Sequence, residues 1–599
     1  MSMPSALFRS RFRAQHAVLA SLTVFAIHAC HEATSGDGAS NGSPANGSPA
    51  NSSQRNGSPG NSSQNDPSPG SDGAGPNTGV GSISEGMPNP LLNGAPSGSA
   101  MESPTMPGML MGPAGASGAV DPGTPVFEQD DPNLRPQDSS FERVEMPVPA
   151  PNVMAIDIDE QDRVYVLGRA GGLQIWYPGD GHVVNAGTLP VFSGNEDGGL
   201  SITLDPHFST NGWAYIYYSS VQSSQNVLSR FEIKADKLDL TSEHVLLTVA
   251  IEREVQNHAA GATDFDSQGN LYLATGDNTN PFQSNGFSPH DERAGRRIFD
   301  AQRSAANSRD LRGKILRIKP NDDGTYDIPP GNLFPAGSDA GAPEIYIMGD
   351  RNPFRLAIDT ATDWLYWGEV GPDAGDQAEA LAARGPRGYD EFNQAKSAGF
   401  YGWPYCIADN IPYVHVDFAT LAPLNTFNCN APVNDSPNNT GARQLPPAQP
   451  AWIAYSYGTT PYPALGTSGG RSGLIADIYR WKPGGSPNKL PRYYDGSVLL
   501  MEYVRGLMAE VRTDEAGAIQ SVDPFLRSFP WQNVIQARIS PSGVFGALSG
   551  TPLALQSYTA PISNDLLTVE FKQPIGATDP LRTGDYAKTV VFTLSTTSP

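Results

Sequence analysis

The chain has 599 residues, a formal net charge of −23, 63 glycines, 54 prolines and a hydrophobic fraction of 38%. So acidic a chain excludes a nucleic-acid binder, because phosphate contacts need a basic surface. Gly and Pro at this level fit a turn-rich β protein that carries a disordered segment, and an acidic face suits a basic electron-transfer partner.

Residues 1–30 read as an export signal: Arg9, Arg11 and Arg13 precede an apolar run from Ala17 to Ile27 that is too short to span a bilayer as a mature helix. Cys30 follows Ala29 at its end, which leaves two readings, a lipoprotein box with Cys30 lipidated or a plain cleaved secretory signal. Either implies an oxidising compartment, periplasmic or at the cell surface, with any membrane contact made through the lipid alone. Residues 31–140 are rich in Asn, Gly, Ser and Pro, with Asn-Gly-Ser-Pro-Ala repeated at Asn41 and Asn46. Such a segment has too little apolar surface to offset its ordering entropy, so a disordered tether is expected.

From 141 to 555 one loose pattern recurs: an apolar alternation, an acidic or Pro turn, then an apolar strand with an aromatic. Ala155-Ile156-Asp157-Ile158 leads to Val164-Tyr165-Val166, and Ser201 to Pro206 leads to Ala214-Tyr215-Ile216-Tyr217. Asp264-Phe265-Asp266 leads to Leu271-Tyr272-Leu273, and Leu356 to Asp359 leads to Trp364 to Trp367. Leu474 to Trp481 pairs with Ser497 to Met501, and Ala537 to Pro541 with Val544-Phe545. About six hairpin units at uneven spacing, with almost no helical periodicity, predict an all-β propeller with long loop insertions. Residues 556–599 hold two further strand-like runs, one of which could complete the last blade. Cys406 and Cys429 are an even pair outside the cytosol, either one disulfide, worth about 3 kcal/mol if unstrained, or two buried thiols.

The chemistry is concentrated between His258 and Pro372. His258-Ala259-Ala260-Gly261 puts an imidazole before residues too small to block a substrate. The hairpin from Ala262 to Ala274 turns at Ser267-Gln268-Gly269-Asn270 and brings Thr275-Gly276-Asp277 back beside its own start. An Asp there can fix the tautomer of the imidazole and raise its basicity, as a general base near neutral pH requires. Arg312 to Ile318, Arg351-Asn352-Pro353, Gly371-Pro372 and Tyr401-Gly402-Trp403-Pro404 follow in order.

This ordered set resembles the soluble glucose/sorbosone dehydrogenases, six-bladed β-propellers that use pyrroloquinoline quinone (PQQ) with calcium, from Val153 to Gly550. The resemblance implies an exported sugar or aldehyde dehydrogenase that passes electrons to an external acceptor. In it His258 takes the C1 hydroxyl proton, Asp277 orients His258, Arg351 and Asn352 lie against the quinone, and the Gly371 and Pro372 carbonyls bind calcium. Glu196 and Asp197 match a turn that contacts sugar, although Gly199 replaces the usual Leu. Asp390-Glu391-Phe392-Asn393 either supports a second calcium or is a solvated acidic turn. The arginines between Asp291 and Arg312 either cover PQQ carboxylates or pair within their own loop.

The departures lie in the late blades. A Lys is expected where Val504 stands, and an Arg pair where Phe529-Pro530-Trp531-Gln532-Asn533 has no cation. Either other cations, Arg355, Arg471 and Arg505, substitute, or the chain is an inactive propeller that binds carbohydrate or a protein partner.

Overall fold

The computed structural model describes residues 131–549 with short gaps, the longest at 375–384, together with two N-terminal strands, Ala6–Phe12 and Gln15–Thr23. The expected tether up to 130, Cys30 and the run 556–599 lie outside the described residues. The folded part begins earlier than the expected boundary at 141: Arg135 donates to the Pro524 carbonyl (2.6 Å) and Asp138 accepts from the Ser528 N–H (2.7 Å), which docks this stretch on the last strands.

The alternating segments become antiparallel blades arranged around an axis. Blade 1 is Val153–Ile158, Val164–Gly168, Gly172–Trp176 and Val183–Thr188; blade 2 is Gly199–Leu204, Trp213–Ser219, Gln225–Lys234 and Lys237–Ala250. Blade 3 is Ala262–Phe265, Leu271–Thr275, Lys314–Pro320 and Ile345–Met348, and blade 4 is Pro353–Asp359, Trp364–Glu369, Asp390–Ala395 and Ile453–Tyr455. Blade 5 is Gly473–Ile478, Val498–Glu502, Leu507–Thr513 and Ile519–Pro524. Among the described residues the one α-helical turn is Phe208–Asn211.

These five blades are complete, one fewer than the six expected. At the remaining position the hairpin Val534–Ile539 with Phe545–Ser549 is extended by Gln15–Thr23, Ala6–Phe12 and Phe141–Glu145. Its inner strand lies between those of blades 5 and 1. The strands expected from the C-terminal run fall outside the described residues, so a sixth blade of chain-consecutive strands is not formed within them.

The inner strands are buried on both faces, at every position of Gly199–Leu204 and of Pro353–Asp359, because each is sandwiched between neighbouring blades. The acidic residue of the repeat is the staple between blades. Asp157 accepts from its neighbour's N–H at Ile158 (2.9 Å) and from Leu204 of blade 2 (2.7 Å). Asp264 does the same with Phe265 (2.9 Å) and Ile358 of blade 4 (2.9 Å). Asp477 repeats it with Ile478 (2.8 Å) and Ile539 (2.7 Å). A carboxylate oxygen on the inner strands of blades 1, 3 and 5 thus satisfies an amide that the next blade leaves unpaired.

Buried carboxylates make this ring sensitive to pH. Burial pushes Asp157 up to about 6 and Glu391, Glu502 and Glu510 up to about 7, and raises Asp350 and Asp477 as well. Unfolded carboxylates titrate near 4, so between pH 7 and 5 the folded chain holds more protons than the unfolded one, and stability rises as pH falls. His290, which burial depresses to about 3, opposes this with a single proton. Thermal unfolding should therefore show a higher Tm at pH 5.5 than at pH 7.5, and a lower one would remove these carboxylates as the controlling groups.

Candidate active site

The loop between blades 2 and 3 carries His258, and its backbone is held in an uncommon conformation. His258 and Ala260 have φ of 55° and 52°, a region that costs roughly 1–2 kcal/mol for a residue with a Cβ. The loop keeps that shape because its amides are taken: Ala259 N–H donates to Glu196 Oε2 (2.9 Å) and Ala260 N–H to Asn352 Oδ1 (3.0 Å). Asn352 Nδ2 in turn donates to Glu196 Oε2 (3.3 Å). Gly276 lies under the loop so closely that a Cβ there would stand 1.8 Å from the His258 carbonyl oxygen.

The hairpin expected after Gly261 forms, with Ala262 opposite Ala274, and returns Asp277 to His258. Asp277 Oδ1 is 2.7 Å from His258 Nδ1, and the two side chains are 0% and 5% exposed. The same carboxylate accepts from Trp403 Nε1 (2.8 Å, at Oδ2) and from Thr279 N–H (2.9 Å). Burial would raise this carboxyl, but His258, then Arg351 and the Trp403 indole outweigh it and hold it below the usual range. An ionised Asp277 accepts the Nδ1 proton, so Nε2 is the basic atom of the ring.

His258 and Arg351 face a cavity of about 570 Å³. Trp403, Tyr413 and Phe287 supply flat walls, and Arg387 and Asp373 stand at its edge. Arg351 is anchored rather than free, its Nη1 donating to the Val370 carbonyl (2.7 Å). Its guanidinium carbon lies 5.9 Å from the Trp403 ring centre. Flat walls, two arginines and a base form a donor set that fits a planar, anionic quinone.

Other expected contacts go elsewhere. Glu196, as above, supports the His258 loop, and Asp197 is held by Ser219 (2.8 Å) and Arg253 (3.2 Å), so neither lines the cavity as a sugar contact. Arg355 points to the propeller axis and donates to four carbonyls: Ile535 (3.0 Å), Gly261 (2.6 Å), Phe354 (2.9 Å) and Met154 (2.7 Å). Arg505 is likewise spent on the carbonyls of Gly470 (2.8 Å), Leu465 (2.8 Å), Gly466 (3.0 Å) and Ser456 (2.8 Å). Neither cation reaches the cavity, because guanidinium groups at strand ends meet unpaired backbone oxygens first.

The calcium expected at Gly371 and Pro372 does not fit. The Pro372 carbonyl accepts from Arg471 Nη2 (2.8 Å), so a second cation would face a guanidinium. Asp390-Glu391-Phe392-Asn393 is a strand rather than a solvated turn, buried except for parts of its continuation. Cys406 and Cys429 are joined, with an S–S distance of 2.03 Å. Of the inserted arginines, Arg293 pairs with Asp291 (2.7 Å) and Arg312 with Asp310 (2.6 Å) within their own loop, while Arg303 reaches Glu252 outside it (3.0 Å).

Two cavity residues escape a reading of the sequence. Trp403 stands in the Tyr-Gly-Trp-Pro motif, but its hydrogen bond to Asp277 spans a separation of 126 positions. His290 sits in the insertion after Asp277, with Phe427 at 4.8 Å and Tyr413 at 5.3 Å between ring centres. One ring nitrogen bonds the Pro404 carbonyl, burial keeps the ring neutral with its pKa down to about 3, and Nε2 has no hydrogen-bond partner among the described residues. Nothing in the local sequence distinguishes it from a loop histidine.

Residues 150–416 match the family model described as glucose/sorbosone dehydrogenase, as the motif order implies. The aldose sugar dehydrogenase YliI of Escherichia coli (strain K12) is 27% identical over 241 residues, 39% of this chain and 54% of that protein. The chain spans about half the length of the curated relatives it matches. Among solved structures, the PQQ-bound aldose sugar dehydrogenase of Streptomyces coelicolor is 18% identical, with 66% of this chain and 86% of that one covered at a TM-score of 0.41. The apo-form of the soluble aldose sugar dehydrogenase of Escherichia coli is 17% identical, with 66% and 92% covered at a TM-score of 0.44.

Proposed function

We propose, with the match of residues 150–416 to the glucose/sorbosone dehydrogenases as premise, that this chain is an exported quinoprotein that oxidises a sugar or related aldehyde or alcohol. Export to an oxidising compartment, with a lipid at Cys30 and the stretch to 130 as tether, follows from the leader and the linker composition. Among the described residues no helix is long and apolar enough to cross a membrane.

The observation that carries the reading is the buried His258–Asp277 pair at the wall of a cavity that also holds Arg351. When bound, the quinone supplies the hydride acceptor. His258 Nε2 takes the hydroxyl proton of the substrate as its C1–H bond breaks, and Asp277 stabilises the imidazolium that results. Arg351, and Arg387 at the edge, would hold the anionic cofactor, with Trp403 and Tyr413 flanking it. The aromatic wall suits the apolar face of a sugar ring. The cavity closes off water to the extent that both His258 and Asp277 are buried, which strengthens their interaction.

A second reading, a propeller that binds sugar without redox chemistry, is favoured by Arg355 and Arg505 being committed to backbone carbonyls. Calorimetric titration of signal-free protein with PQQ, followed by an aldose screen with a dye acceptor, separates the two. Micromolar or tighter binding with reduction of the dye is the expected result. No binding, with sugars alone raising Tm, would hand the site to the second reading.

A further inference from the structure

We propose that the guanidinium of Arg471 takes the place of the metal ion at Gly371-Pro372, so that the cation of this site is built into the chain. The inference rests on the proposed quinone site only for its consequence, the insensitivity of that site to chelators.

Arg471 Nη2 donates to the Pro372 carbonyl at 2.8 Å, and Nη1 donates to Asp390 Oδ1 at 2.8 Å. Both side chains are 1% exposed. Asp390 keeps one lone pair, on Oδ2, beyond the bonds it already accepts: Oδ1 also takes Gly371 N–H (3.1 Å), and Oδ2 takes Gly473 N–H (3.0 Å). The guanidinium is backed by the Tyr457 ring, 4.2 Å away, whose hydroxyl donates to Asp373 at the cavity wall (2.8 Å). The backbone has closed on this arrangement. A Cβ at Gly388 would stand 1.6 Å from the Pro372 oxygen and 2.8 Å from Arg471 Nη2.

Calcium needs six to eight oxygens, each with a lone pair directed at it. Here one of the two expected carbonyls already serves a cation, and Asp390 neutralises that cation rather than an incoming ion. A divalent ion added at Pro372 would lie beside a fixed positive charge in a dry site, where repulsion is least screened. The arginine does part of an ion's work, since it holds the Gly371-Pro372 turn and the neighbouring strand of blade 4 to the start of blade 5. It differs in being non-exchangeable and singly charged.

The test uses the full folded protein without its leader, crystallised from calcium chloride, with PQQ affinity measured by calorimetry in excess calcium and in excess chelator. The expected outcome is a guanidinium on the Pro372 oxygen with no ion bound there, and equal affinity in the two conditions. Arg471→Ser should acquire a calcium requirement for cofactor binding, because it frees the carbonyl and Asp390 together. An ion coordinated by the Pro372 oxygen, or cofactor affinity that collapses at least tenfold in chelator, overturns the proposal. If PQQ fails to bind in either condition, the dehydrogenase reading fails, while the crystals in calcium still decide which cation holds Pro372. Should Arg471→Ser not fold, the wild-type measurements decide alone.

Discussion

His258→Ala is expected to lower kcat by about 10³-fold, within the range that removal of a positioned general base produces, while cofactor affinity changes little. The reason is the division of labour in the site. His258 contributes a ring nitrogen to the cavity but no cation, and its loop is held by Glu196 and Asn352 through main-chain amides that the substitution leaves in place. Asp277→Asn should cost nearly as much. Asp277 accepts from His258, Trp403 and Thr279, and an amide has one acceptor oxygen where the carboxylate has two, so it would turn an N–H toward one of these donors. The imidazole would lose both its tautomer and the charge that stabilises it once protonated. Steady-state kinetics beside PQQ titration checks this. A His258→Ala protein that loses turnover and cofactor affinity in equal measure would return His258 to a structural role.

Arg355→Met is expected to destabilise the propeller by about 3 kcal/mol, the scale set by leaving several buried acceptors unpaired. Arg355 donates to carbonyls from blade 1, the His258 loop, blade 4 and the closing hairpin, and so ties together four parts of the ring that no strand pairing connects. Among the described residues no carboxylate pairs with it. Burial, then the charges of Arg538 and Arg169, depresses it to about 9, and the four carbonyls are what offset the cost of that buried charge. Substitution by Met removes that expense and strands the oxygens, and the second effect is the larger because four acceptors are involved. Denaturant unfolding measures the loss. Unchanged stability together with weakened PQQ binding would restore Arg355 to the cofactor.

These two arginine and histidine cases show what could be read along the chain. The His258–Asp277 pair was legible because a hairpin is a local device: four strand residues, a Gly-Asn turn and a return strand bring positions 258 and 277 together whatever the rest of the protein does. The repeat of acidic residues was legible too, but as turns. That Asp157, Asp264 and Asp477 staple one blade to the next could not be read, since the amides they accept from, Leu204, Ile358 and Ile539, are set by how blades stack. Arg355 and Arg505 were misplaced for a related reason. Composition says that a cation must find oxygen, but only the fold says whether the oxygen belongs to a cofactor or to a neighbouring strand end.

The sequence by itself therefore determined the all-β class, the hairpin units, the acidic surface and the motif order that the family model matches over residues 150–416. Each of these depends on alternation, turn chemistry or composition, which act within a few residues. The tertiary structure decided the wall of the cavity, the second bond on Asp277 from Trp403, the unpaired nitrogen of His290 and the cation on the Pro372 carbonyl. Those contacts join residues of different blades and insertions. Their partners are chosen by where the ring places each strand end, and by which polar group would otherwise be left buried and unpaired.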